Sequence, residues 1–383
     1  VLLVVIAFIV AQAVVKSGLG RRISLLMVSR FGGSPLGLAY SLVLTDAAIA
    51  PAFPSNTARG GVLFPIVLSI SKGAGSEPDS PEGRRLGGYL MFCAMAGLSV
   101  SSALWLTATS CNPIGVQIAQ QHGMDIGFAD WLIASSVPTL SAILILPLLV
   151  AKIFPPGIGA TPEAPLAARK DLAGMGAMSR DEWITLVTFA VMVAGWVAGS
   201  ALQINGTAVA FMGFGVLLVS GVLTLEDISK QGDTLTTFLW LAILFALSAQ
   251  LNELGFMGYV GERLATRMGG LDWPVLYVAL VALYVVLHYF FVSQTSQMLA
   301  LLAVFLDVGI RGGVPAALMA PGLLFASSYF SVITPQGGSQ NIIFVASGYL
   351  KQGELYRMGL ITTITFMTIY LVIGTPWILF VSG

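Results

Sequence analysis

Charge is what this chain has least of. Its 18 basic and 18 acidic residues make up 9% of 383 positions, against roughly 25% in an ordinary soluble domain. They cancel to a formal charge of zero, so no field draws in nucleic acid or a large acidic partner. Cysteine is scarce too: Cys93 and Cys111 both lie in apolar runs. There a thiol behaves as a small hydrophobe, no disulfide is suggested, and redox compartment is left open. The two histidines, His122 and His288, accompany no G-x-S-x-G elbow, which argues against an intramembrane hydrolase and for a protein that is not an enzyme. Without a phosphate-binding P-loop, ATP-driven pumping by this chain is also excluded. No metal site or cofactor is expected, sodium entering only in the event of symport. The chain opens on Val1 inside a hydrophobic run, without Met or a signal-peptide layout, and its true N-terminus is expected to be missing.

Apolar residues are abundant. Hydrophobic side chains reach 56% and mean hydropathy is +0.89, which predicts an all-α polytopic membrane protein. Residues 1–15 read as a membrane helix, followed by an interfacial stretch carrying Arg21, Arg22 and Arg30. Residues 36–50 and 62–70 are each too short to cross ~30 Å of hydrocarbon at ~1.5 Å per residue. They read instead as the legs of a re-entrant hairpin whose polar tip, Pro54-Ser55-Asn56-Thr57-Ala58-Arg59-Gly60-Gly61, spans 54–61. Broken helix survives at that depth only where protein buries it or a wet cavity receives it. A solvated loop at 72–85 precedes a span at 86–106, which breaks at Thr107-Ala108-Thr109-Ser110-Cys111-Asn112-Pro113. Residues 131–154 form another span and 155–182 a cytoplasmic linker. Further spans are expected at 183–202, 206–225 and 235–251.

The second half repeats the first. Gly18 aligns with Gly255 at an offset of 237, and Ser55-Asn56-Thr57 falls on Ser293-Gln294-Thr295 at 238. Beyond the charged loop, Thr109 aligns with Thr334, Gly123 with Gly348 and Trp131 with Tyr356, all at 225, a change assigned to one loop shortening. Residues 1–154 are thus a first repeat truncated at its start, and 183–383 a second repeat with its hairpin tip at 292–296. Complete repeats with an odd number of crossings would be inverted. With the two hairpins entering from opposite sides, fourteen of the eighteen basic residues fall on the cytoplasmic side, in accord with the positive-inside rule. Paired broken helices at matching positions point to a secondary-transporter site. A channel, whose filter could use the same polar tips, is the more distant alternative.

P-S-N-T-A-R-G-G at 54–61, G-L-G-R-R-I at 18–23, H-Y-F-F at 288–291 and T-P-Q-G-G at 334–338 resemble the divalent anion/sodium symporter family. The likeness is to its citrate/succinate, tartrate/succinate and plastid 2-oxoglutarate/malate exchanger branch, and it covers nearly the whole chain. It implies an elevator transporter with a scaffold and a transport domain, a homodimer among membrane lipids, and a bacterial inner membrane or plastid inner envelope. It also implies small di- or tricarboxylate substrates and no nucleic acid. In that family two Ser-Asn-Thr motifs at hairpin tips and two unwound helices form the carboxylate site. Here the second motif reads Ser293-Gln294-Thr295, a departure from the family's second sodium cage.

The candidate substrate-binding residues are Ser55, Asn56, Thr57, Arg59, Thr109, Asn112, Ser293, Gln294, Thr295, Thr334, Pro335 and Gly337. A dianion in a low-dielectric pocket needs several donors, which hydroxyls, amides and helix N-termini supply. Arg59 has two readings: it neutralises a substrate carboxylate where a symporter uses a cation, or it pairs with Asp46 or snorkels to the interface. His288 either senses pH or is a packing histidine. Asn112 either caps a broken helix beside Pro113 or joins the site, and Gly60-Gly61 could simply permit tight packing. Exchange is expected, sodium-coupled symport being the alternative.

Overall fold

In a computed structural model of the chain, the backbone is described throughout except at residues 1, 81–82, 203, 230–238, 240–241, 244–245, 248–249, 251–252, 269 and 383. Side chains at 2–4, 200–201, 257, 260, 264–265 and 267–268 are also outside the description. Among the described residues every regular element is helical. The first group is α1 (Leu2–Ser17), α2 (Leu19–Phe31), α3 (Pro35–Ile49), α4 (Asn56–Gly73), α5 (Arg84–Ser101), α6 (Cys111–Gln121) and α7 (Phe128–Ile153). After α8 (Glu163–Met175) come α9 (Arg180–Leu202), α10 (Gly206–Val219), α11 (Leu225–Ser229) and α12 (Phe256–Met268). The chain closes with α13 (Trp273–Leu287), α14 (Gln294–Arg311), α15 (Ala316–Tyr329), α16 (Ser339–Val345), α17 (Gln352–Ile369) and α18 (Thr375–Ser382). The span expected at 235–251 falls largely outside the described residues.

Among the described residues five helical stretches are long and apolar enough to cross a membrane: Pro35–Ala52, Phe128–Ile153, Arg180–Gly199, Trp273–Phe290 and Gln352–Ser382. The last joins α17 to α18 through a π-helical turn at Tyr370–Gly374, where the Tyr370 and Thr139 hydroxyls are 2.7 Å apart. Pro35–Ala52 gains its length by continuing α3 into a 3-10 turn, Ala50–Ala52, so this leg is longer than the sequence suggested.

At the centre lie α5 and α15, buried on nearly every face. Such burial requires small residues where neighbours press closest. A Cβ added at Gly87 would lie 2.2 Å from the Tyr349 ring, so the glycine is what admits that ring. Around this core pack α3, α4 and α7 on one side and α13 and α14 on the other. Trp131 meets Phe325 edge-on at 5.1 Å, fixing α7 against α15. Arg84 donates two hydrogen bonds of 2.8 Å to Glu354, which joins the starts of α5 and α17.

The linker is not only a polar connection. It contains α8, which lies along α2 and is tied at both ends. Thr161 Oγ1 donates to the Gly32 carbonyl at 2.7 Å, while Arg22 donates to Glu182 at 2.5 Å and to the Gly176 carbonyl at 2.9 Å. The next span starts at Arg180 rather than Trp183, because the Ser179 hydroxyl accepts from Glu182 N and the Glu182 carboxylate accepts from Ser179 N.

Candidate functional site

The polar tip is mostly helix. Ser55 has extended backbone, and its hydroxyl accepts from Ala58 N at 3.2 Å, so α4 begins at Asn56 and runs through Gly60-Gly61. Only residues 53–55 are loop, which corrects the picture of an open 54–61 knot. Such capping by serine is worth about 1 kcal/mol. The second tip is built alike: Ser293 is extended, accepts from Ser296 N at 3.3 Å, and starts α14 at Gln294. A Cβ at Gly61 would meet nothing within 4 Å and one at Gly60 makes only ordinary contacts. Tight packing is therefore not the reason for that pair.

The two starts meet. Asn56 Nδ2 donates to Gln294 Oε1 at 3.4 Å, across a sequence separation of 238. The exposed Thr57 hydroxyl lies 2.6 Å from that of Ser339, the first residue of α16. Ser110 N, at the foot of α6, donates to the Pro54 carbonyl at 2.9 Å. The helix starts of α4, α6 and α14 thus converge with Ser339, each full helix bringing unpaired N–H groups and about half a positive charge. Ser55, Ser293, Thr295 and Pro335 are half-buried. Thr109 and Thr334 are buried: Thr109 Oγ1 accepts from Cys111 N at 3.5 Å, and Thr334 Oγ1 has no hydrogen-bond partner.

Arg59 turns the other way. It has no exposed surface and pairs with Asp46, 1% exposed, at 2.8 Å. Its guanidinium also donates to Ser101 at 3.0 Å, to the Asn56 side-chain oxygen at 2.6 Å and to the Leu98 carbonyl at 3.2 Å. The charge is matched inside the protein and orients Asn56. This corrects the expectation of direct substrate contact: a buried arginine needs a fixed anion, and Asp46 supplies it.

Asn112 ties off the break after α5, donating to the Ser102 and Trp105 carbonyls at 2.8 and 3.0 Å. Asn341 does the same after α15, to Ser331 and Thr334 at 2.7 and 3.2 Å. Each of these three pairs is separated by 229 residues, so Asn112 corresponds to Asn341, not Gly337, and Thr334 to Trp105. The offset of 225 holds only beyond α6 and α16, as at Gly123 and Gly348, both with positive φ. Two length changes are involved: one in the loop before α5, and another because α6 has 11 residues and α16 has 7.

Gly337 is required by close approach. A Cβ there would lie 2.6 Å from the Ser331 carbonyl and 3.1 Å from His288 Nε2. Sequence reasoning did not single out Ser101, Ser102, Ser331, Ser339 or Asn341. The 229 register would have found Asn341, on which the candidate Asn112 falls, and it pairs Ser102 with Ser331. A half-open cavity of about 880 Å³ lies elsewhere, between α4 and the α1–α2–α8 side, lined by residues such as Val14, Leu25, Val62, Ile66 and Leu166. Its walls are chiefly apolar, unlike the donor-rich meeting of the tips.

A helical membrane protein whose broken helices and capped helix starts meet in one polar spot has the build of a secondary transporter. Residues 1–382 match the family described as the sodium:sulfate symporter transmembrane region, and the chain belongs to that family. It is 37% identical over 377 residues to the putative malate transporter YflS of Bacillus subtilis, covering 98% of this chain and 79% of that protein. It is 36% identical over 380 residues to dicarboxylate transporter 2, chloroplastic, of Spinacia oleracea, covering 98% and 67%. With the citrate/succinate antiporter of Escherichia coli identity is 32% over 375 residues, covering 97% and 76%. The fold is similar to that of the Alcanivorax borkumensis YdaH transporter, with a TM-score of 0.65 at 18% identity over 99% of this chain and 85% of that one.

Proposed function

We propose that this chain exchanges di- and tricarboxylates of four to six carbons across the membrane, succinate, malate, 2-oxoglutarate, tartrate and citrate being the candidates. The carrying observation is the meeting of Asn56 and Gln294 beside the hydroxyls of Thr57 and Ser339. Ser55 and Thr57 on one tip and Ser293 and Thr295 on the other can receive opposite ends of a short dianion, which needs many donors when desolvated. The relatives named for malate, dicarboxylates and citrate/succinate agree in substrate class. Movement of this site between the two membrane faces, by an elevator motion of inverted repeats within a homodimer, is part of the proposal.

Exchange without sodium is favoured by the carbonyls near the ends of α5 and α15. A bound cation would seek such oxygens, but protein N–H groups already hold them: Arg59 donates to Leu98 O at 3.2 Å, and Gln294 donates to Ser327 O at 2.8 Å. Sodium-coupled symport is the second reading, favoured by Asn112 Oδ1 and Asn341 Oδ1, which are buried without a donor. Uptake of labelled acid into vesicles preloaded with each candidate, with and without sodium, tests the proposal. Counter-substrate dependence is expected; net sodium-dependent uptake into empty vesicles overturns it.

A further inference from the structure

The cavity of about 880 Å³ between α4 and the α1–α2–α8 side takes no part in the meeting of the tips. Its volume is near the upper end of the ~300–1,000 Å³ of small-molecule pockets. Its walls include Val15 of α1, Leu25 of α2, Val62 and Ile66 of α4, and Ala164 and Leu166 of α8. Val15 and Leu166 are 49% and 56% exposed, so the apolar wall continues outward as bare surface. Such a wall with no atoms against it forfeits dispersion contacts, and a hydrocarbon chain restores them without bringing in an unpaired polar group.

The setting selects the source of that hydrocarbon. α8 follows soon after one membrane-length helix, Phe128–Ile153, and ends just before another, Arg180–Gly199, which holds it at a membrane surface. Ala164, Ala168, Leu172 and Met175 recur at helical spacing and pack against the core, while Arg169, Lys170 and Asp171 are exposed. A helix divided in this way lies along lipid headgroups.

The charged groups lining the cavity are Arg21, Lys170, Asp171 and Glu163. Arg21 reaches Asp171 at 3.4 Å, both side chains being exposed, and its guanidinium keeps further N–H groups to donate. Lys170 has no ion pair among the described residues. This end of the cavity therefore carries one net positive charge. Glu163 stands seven residues away on α8, about 10 Å along the axis, beyond the ~8 Å Debye length at physiological ionic strength, and does not cancel it.

We infer that this cavity is a binding site for an anionic phospholipid: one acyl chain lies between α4 and α8, and the phosphate rests on Lys170 and Arg21. The site is separate from the carboxylate site and stands independently of the proposed function. α4 carries Asn56 and Thr57 at its start, so a chain packed beside Val62 and Ile66 braces the helix that presents the first tip.

Native mass spectrometry of the detergent-solubilised chain, titrated with dioleoyl phosphatidylglycerol or dioleoyl phosphatidylcholine, measures retained lipid. The wild type is expected to retain one phosphatidylglycerol per chain and to prefer it by about fivefold, the factor for one basic residue near an anionic headgroup. At about a hundredfold excess over its Kd, phosphatidylglycerol should raise Tm by about 3 °C. Lys170→Gln changes an exposed side chain, keeps the fold, and should lose that preference and most of the Tm rise. Ala164→Trp fills the cavity while leaving the charges in place, and should lower phosphatidylglycerol retention severalfold. Equal retention of the two lipids by the wild type, or phosphatidylglycerol retention unchanged in either folded variant, overturns the inference and leaves the carboxylate reading standing.

Discussion

Removing either partner of the Asp46–Arg59 pair separates a positioning role for Arg59 from a substrate role. Both side chains are almost wholly buried, and breaking a buried pair by removing one partner costs about 3–5 kcal/mol. The two singles should differ. An arginine left by Asp46→Asn cannot shed its proton, whereas the aspartate left by Arg59→Gln can take one up, so Asp46→Asn is expected to be the more harmful. The double variant Asp46→Asn/Arg59→Gln leaves no net charge and should recover much of the loss. At about 2.1 cal/mol/K of unfolding entropy per residue, the larger loss corresponds to a Tm lower by roughly 4–6 °C, read by thermal unfolding in detergent. Exchange assays on whichever variants fold should show weakened substrate affinity through the displaced Asn56, with no new sodium requirement. Additive losses in the double variant would refute the buried pair. A stable Arg59→Gln protein that transports only with sodium would return Arg59 to the substrate.

Three further outcomes are expected. Asn112→Ala and Asn341→Ala each take a donor from two carbonyls at a helix break; the Trp105 and Thr334 carbonyls keep the Ala108 and Gly337 N–H groups, the loss of the other bond costs about 1–3 kcal/mol, and both variants should lower Tm and transport. Gly337→Ala should abolish exchange because the added methyl meets the Ser331 carbonyl, while Gly61→Ala, with open space around it, should transport at the wild-type rate. Lys16, followed by the Thr224 cap, holds the Asp227 carboxyl down to about 2. Its folded-state value is thus below the unfolded one, so its stabilisation is complete above ~pH 4 and is lost as pH falls toward 2. The pair is partly exposed, so Asp227→Asn should cost no more than about 1 kcal/mol at neutral pH.

Composition and hydropathy made the membrane class legible, and the breaks at Ser55, Asn112, Ser293 and Thr334 were visible as polar residues inside apolar runs. Serine can cap a helix, as Ser55 and Ser293 do here, but sequence alone does not distinguish an eight-residue loop from a capped helix. The glycines at 60 and 61 favoured the loop. Arg59 illustrates the other limit. Its distance from Asp46 along the chain says nothing about whether α3 and α5 close around it, and the choice between pairing and substrate contact depends on that packing. The register past the breaks was hidden because two separate length changes sum to the single offset visible at Gly123 and Gly348. The buried contacts of His288, with Gln297 at 2.6 Å and with the Gly337 carbonyl at 2.6 Å, were illegible for a related reason: Gly337 comes from a distant loop, and only folding sets its carbonyl against the ring.

The central claim is that both tips face one substrate, and site-directed thiol labelling tests it most directly. The native cysteines, Cys93 and Cys111, are buried, so background labelling should be low. Single cysteines at Thr57 and at Thr295, in otherwise unchanged protein, should each react with a polar maleimide. A saturating dicarboxylate that the protein exchanges should slow both reactions at least severalfold. Continued transport with labelling unaffected by substrate at both positions would contradict the account.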